Sequence, residues 1–131
     1  MRFKKALSIG SLGFLSFLTF TAHADLNITN NSNINTIVVK CSGKMPTVPI
    51  TKGTTVSLDW AFVELIIGGL QGTCSFWNGV THEADASILI NPSKTSATIG
   101  SFVKYDQRLN VQFNPVIGVP SANITAAVTG G

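Results

Sequence analysis

The stretch TTVSLDWAFVELIIGGLQGTCSFW, Thr54 to Trp77, decides how the rest of this 131-residue chain is read. It holds both tryptophans and one of the two cysteines, and Asn78-Gly79 follows it directly. Its first part alternates, with Val56, Leu58 and Trp60 on one side and Thr55, Ser57 and Asp59 on the other, the period of a half-buried strand. Ala61 to Leu70 is more continuous. Phe62, Val63, Leu65, Ile66 and Ile67 are too closely spaced for a half-exposed strand, and the run is short for a helix. Its β-branched residues and Gly68-Gly69 favour a buried strand ending in a turn over a single helical turn. Asn78-Gly79 then predicts a two-residue type I′ hairpin loop, because both central residues must take positive φ. That register sets Trp77 opposite Val80, Phe76 opposite Thr81, Ser75 opposite His82 and Cys74 opposite Glu83. Cys74, Phe76, Thr81 and Glu83 share one face; Thr73, Ser75, Trp77, Val80, His82 and Ala84 share the other. An inward Cys74 would leave Trp77 and His82 diagonal neighbours outside.

Outward from this stretch the chain reads as short alternating runs separated by turn chemistry, the pattern of a sandwich or barrel. Asp25 to Asn30 alternates through Leu26 and Ile28, and Asn30-Asn31-Ser32-Asn33 is a turn in which Asn and Ser side chains bond their own backbone. Asn35 to Ser42 places Ile37, Val39 and Cys41 on one side. Ser42 to Pro49 reads as a connection broken by Gly43, Pro46 and Pro49, and Lys52-Gly53 as a turn. Ala86 to Ile90, Thr95 to Val103, Arg108 to Phe113 and Asn123 to Thr129 read as further strands, with Gly100 marking a bulge. The expected fold is all-β: an antiparallel β-sandwich of about eight strands with one intramolecular disulfide and no amphipathic helix.

The N-terminus is expected to be a cleaved secretory leader, residues 1–24. Arg2, Lys4 and Lys5 precede the apolar run Ala6 to Phe20, and Ala22 and Ala24 supply the small-x-small cleavage pattern. A membrane anchor fits less well, since the run is shorter than the ~20 residues a spanning helix needs. No cysteine follows the run before Cys41, which argues against lipoprotein attachment. Residues 25–131 would then form a single soluble domain, periplasmic or extracellular, in a bacterial setting. Three of the nine basic residues leave with the leader, so the remainder balance the six acidic ones. Lys40, Lys44, Lys52, Lys94, Lys104 and Arg108 are scattered singly, which excludes a nucleic-acid or anionic-lipid stripe. Two cysteines in an exported chain read as one bridge, Cys41–Cys74; its loop implies roughly 3–4 kcal/mol of stabilisation.

Few groups offer chemistry. His82 is the sole histidine after the leader, in His82-Glu83-Ala84-Asp85, where it could ligate a metal with Glu83 or Asp85 or act as an acid–base. His82 and Glu83 point to opposite faces of a strand, however, and no His-Glu-x-x-His is present. The bland reading is a solvated strand end. No Gly-x-Ser-x-Gly elbow exists, and both cysteines are consumed by the bridge. Asp25, Asp59, Glu64, Glu83, Asp85 and Asp106 are the pool for a carboxylate pair. Glu64 stands out within an apolar run, where burial would raise its pKa, but an outward position is the commoner outcome. No phosphate-binding glycine loop is present, since Gly68-Gly69 has no following Lys-Ser/Thr. Trp60, Trp77 and Tyr105 could form a ligand-stacking platform, against the commoner fate of filling the core; Trp77, beside the hairpin tip, is the best exposed candidate. The sequons at Asn27, Asn30 and Asn123 matter only in a eukaryotic secretory route.

An exported all-β chain with one disulfide and its first cysteine early in the mature sequence resembles, in outline, the chaperone–usher pilin subunits. The resemblance implies that the N-terminal strand, through Leu26 and Ile28, is donated into a neighbour's incomplete sandwich. The short chain and its ending Val128-Thr129-Gly130-Gly131, without an aromatic-bearing final strand, depart from that pattern. The expected function is a non-enzymatic exported binding protein whose partner is a protein or glycan, with Trp77, Tyr105 and His82 as contacts, no metal and no cofactor. The alternatives are a pilin-like or adhesin subunit and a small hydrolase using His82.

Overall fold

The structure, a computed structural model, describes residues 25–43 and 47–131. The expected leader (1–24) and part of the Ser42–Pro49 connection (44–46) lie outside the described residues. Among the described residues are nine strands and one helix: β1 (Asp25–Asn30), β2 (Thr36–Cys41), β3 (Val48–Thr51), β4 (Thr55–Asp59), α1 (Trp60–Ile67), β5 (Gln71–Asn78), β6 (Thr81–Ile90), β7 (Ala97–Lys104), β8 (Leu109–Asn114) and β9 (Asn123–Gly130). They form the expected sandwich. One sheet runs β4-β1-β9-β8 and the other β3-β2-β5-β6-β7. Every pairing is antiparallel except β1 with β9.

The alternation read along the strands is what buries the core. Leu26, Ile28, Ile37, Val39, Phe76, Ile88, Ile99, Leu109, Ile124 and Val128 all lose their surface between the sheets. Cys41 and Cys74 are directly opposed on β2 and β5, so their disulfide (Cα–Cα 3.9 Å) staples two strands of one sheet and does not join the layers. The Asn30 turn works as its chemistry demands. Asn30 Oδ1 accepts from the Ser32 backbone N–H at 3.0 Å, and Nδ2 donates to the carbonyls of Ile34 and Ile50, each at 3.0 Å. Fully buried and so engaged, Asn30 is closed to glycosylation in the folded chain.

Three sequence readings need correction. Residues 61–70 are not a buried strand: Trp60 to Ile67 is a helix. Asp59 caps it, accepting from the Phe62 N–H at 2.8 Å, and Gly68 ends it at φ 88° with its N–H on Glu64 O. Trp60, Val63, Ile66 and Ile67 face inward while Phe62 and Leu65 stay exposed, a helical period hidden in an all-apolar run. Second, Val48–Thr51 is a strand despite Pro49. It lies at the sheet edge, where a residue without an N–H forfeits no ladder bond. Third, the hairpin is shifted. Asn78 pairs with Thr81 and Trp77 with His82, so Gly79-Val80 form the loop. Gly79 takes φ 60° and Val80 does not take positive φ, which rules out type I′.

The shift is absorbed by a bulge. Phe76 pairs with Ala84 while Trp77 pairs with His82, leaving Glu83 as the additional residue on β6. Glu83, the bulged residue, faces inward; beyond it Ala84, Ala86, Ile88 and Ile90 do, so Ala84 belongs to the core and not to the outer face. A second irregularity sets Ile88 against Ile99 and Ser87 against Ser101, with Gly100 as the extra residue expected there.

Candidate functional site

The outer face of the five-stranded sheet gathers the polar and aromatic side chains that the core excludes. On an ordinary strand residues i and i+3 point to opposite faces. The β6 bulge breaks that rule and puts His82 and Asp85 on the same face, with His82 Nε2 2.7 Å from Asp85 Oδ1. Ser75, opposite Asp85 on β5, donates its hydroxyl to the same oxygen. Tyr105, just past the end of β7, donates to Asp85 Oδ2 at 2.7 Å. Burial pushes the Asp85 carboxyl up, but the donors from Ser75, Tyr105 and His82 outweigh it and hold the group below its ordinary range. The bond to Asp85 also raises the Tyr105 phenol above its usual 10.0.

The rings stand in a row across the sheet. Trp77 and His82 are stacked, centroids 4.6 Å apart and 7° from parallel, and Tyr105 leans on His82 at 4.7 Å and 48°. Lys40 from β2 places its ammonium 4.5 Å from the Trp77 ring centre, within cation–π range. The row Lys40–Trp77–His82–Tyr105 therefore crosses β2, β5, β6 and the end of β7. All three anticipated contact residues, Trp77, His82 and Tyr105, meet here. Direct pairing makes Trp77 and His82 cross-strand neighbours rather than diagonal ones. Tyr105, 56% exposed, is the most accessible ring of the row.

The other candidates go elsewhere. Trp60 is core, its indole N–H donating to Ala122 O at 2.8 Å. Glu64 reaches solvent and pairs with Lys94 at 2.8 Å, so the apolar run around it does not bury it. Glu83, 1% exposed, is the buried carboxyl instead. Burial raises its pKa, and the charge and hydrogen bond of Asp106 add to the effect. Asp106 is itself held down at about 2 by hydrogen bonds from Arg108. Lys40 and Ser75 were not singled out in the sequence as parts of a site, and Glu83 and Asp106, although in the carboxylate pool, were not matched to each other, because alternation alone reveals neither a bulge nor strand neighbours.

Chemically, the cluster is a carboxylate saturated by three donors. Ser75 donates to Asp85 and not to His82, so the Ser–His–Asp order of a nucleophilic triad is absent. Among the described residues no group of three His, Cys, Asp or Glu side chains is placed to hold a metal ion. Compared with known protein families, curated proteins and solved structures, the chain matches none.

Proposed function

We propose that this is a non-enzymatic binding protein, exported to a periplasm or beyond, that contacts its partner through the outer face of the five-stranded sheet around Lys40, His82 and Tyr105. The observation that carries the reading is the row of interlocked rings anchored on Asp85. It is a rigid surface in which the polar groups are held before any partner arrives, and pre-organisation lowers the entropic cost of association. The Trp77 ring is stacked on His82 and has the Lys40 ammonium over it, so the surface presents covered rings, a cation and the Tyr105 hydroxyl region. That mixture suits a protein surface better than a sugar ring needing an open aromatic plane. The disulfide supports export, since such bridges persist in oxidising compartments.

The test is affinity capture with the wild-type protein and the Tyr105→Ala/Lys40→Ala double variant, run beside a glycan array. The reading expects a partner whose affinity falls by about tenfold or more, equivalent to about 1.4 kcal/mol, in the double variant and is unchanged by Val80→Ser at the hairpin tip. Turnover of a hydrolysable substrate that is abolished by His82→Ala would overturn it. The fibre-subunit alternative is the weaker one. β1 already fills a slot between β4 and β9 of its own sheet, and donating it would empty that slot.

A further inference from the structure

A sandwich has four sheet edges, and each exposes a row of backbone groups that a stray strand can pair with. In this molecule they are guarded unequally. β3 is four residues long and carries Pro49. β7 is partly covered, because Gly118 N–H donates to Ile99 O at 2.9 Å, Ala97 bridges to Ser121, and Gly100 interrupts the ladder. β4 is five residues long and ends on charged Asp59, where the chain turns into α1. β8, Leu109-Asn-Val-Gln-Phe-Asn114, is six residues with no proline, glycine or charge. Beside it runs a groove of about 740 Å³ lined by Val111, Gln112, Phe113, Asn114, Val116 and Ile117 among others. Val116 (68% exposed) and Ile117 (42%) are apolar groups left in solvent.

We propose that β8 is a self-association edge at which a second copy of this chain pairs antiparallel, joining two four-stranded sheets across a two-fold axis. The sequence of the strand argues for a copy over another partner. In antiparallel pairing, opposed residues share a face. An axis through Gln112 opposes Gln112 to itself and Asn110 to Asn114 on the outer face, amide against amide. On the inner face it opposes Val111 to Phe113. Moving the axis to Val111 keeps the pattern, with Leu109 against Phe113 and Asn110 against Gln112. In both registers the strand complements itself, and within β8 no like charges are brought together. The same symmetry carries the Val116–Ile117 loop of each copy toward the beginning of the other's β8, covering exposed apolar surface.

The test is sedimentation of the disulfide-intact protein across a concentration series up to about 1 mM, where even a contact of millimolar affinity is substantially formed. Wild type is expected to show a monomer–dimer equilibrium, with hydrogen exchange at 109–114 slowing as concentration rises. Gln112→Lys sets two ammonium groups directly opposite each other in the first register and diagonally adjacent on one face in the second, and in either should weaken the dimer by about tenfold or more. Mixing Gln112→Lys with Gln112→Glu should restore association between the two variants. A wild-type protein that stays monomeric throughout would overturn the proposal. So would a dimer that Gln112→Lys does not weaken, or variants whose mixture associates no better than either alone.

Discussion

Glu83 carries its carboxyl into the sandwich while His82, one residue earlier, stays on the surface beside Asp85. Glu83 and its neighbour Asp106 respond to pH in opposite directions. Glu83 has a folded pKa raised above 4.5 by burial and by Asp106, so the folded state favours its protonated form. Its contribution to stability is fully present below the unfolded pKa and is lost as pH rises through the folded one. Glu83→Gln cannot ionise and is expected to melt at a higher temperature than wild type at pH 7.5, the gain shrinking toward pH 4; an equal gain at both pH values would refute the assignment. Asp106 runs the other way. Its stabilising pair with Arg108 is intact above its ordinary 3.8 and fades as pH falls toward about 2. Tyr105 offers a direct reading of the surface cluster, being the single tyrosine in the chain. Its phenolate absorbance should titrate above 10.0, and Asp85→Asn, which removes the accepting carboxylate, should bring the midpoint down. Trp77 Nε1 is buried without a partner, so Trp77→Phe should keep a ring against His82 at little cost in thermal stability, shown by an unchanged or higher melting temperature.

Helix α1 shows how local signals compete. The residues that cap it, Asp59 and Gly68, are ordinary helix punctuation, yet the apolar run between them has no polar stripe to display a helical period. The sandwich resolves the ambiguity by burying Trp60, Val63, Ile66 and Ile67 and leaving Phe62 and Leu65 in solvent. Asp59→Ala removes the cap and is expected to cost about 1 kcal/mol in urea unfolding with an unchanged denaturant slope. No measurable loss would mean that tertiary packing alone holds the first turn. The β5–β6 hairpin makes the same point about register. Asn78-Gly79 signals a turn, and a turn occurs there, but Gly79 occupies its first central position and the bulge at Glu83 reverses the facing of every residue beyond it. Register has a period of two, so a single-residue displacement moves side chains between core and surface.

For the whole molecule the disulfide is a local staple with a global effect. It constrains the unfolded chain between Cys41 and Cys74 without joining the two layers, which meet across an apolar core. Replacing both cysteines by Ala should therefore lower unfolding stability by roughly 3–4 kcal/mol while the far-ultraviolet β signature persists. Loss of that signature under native conditions would show that the bridge is needed to hold the sheets. By itself the sequence determined the class: alternating runs, punctuated by Asn, Gly and Pro, can bury one face each only by packing sheet on sheet, and Ile37, Val39, Ile124 and Val128 lie where that rule puts them. It also marked Trp77, His82 and Tyr105 as candidate contacts. Only the tertiary structure decided that they adjoin, because Tyr105 reaches His82 through strand pairing and two bulges that follow from long-range packing and not from neighbouring residues. The same holds for Glu83. Which carboxyl is buried depends on where an extra residue is accommodated between β5 and β6, and that is a property of the strand pairing and not of either segment read alone.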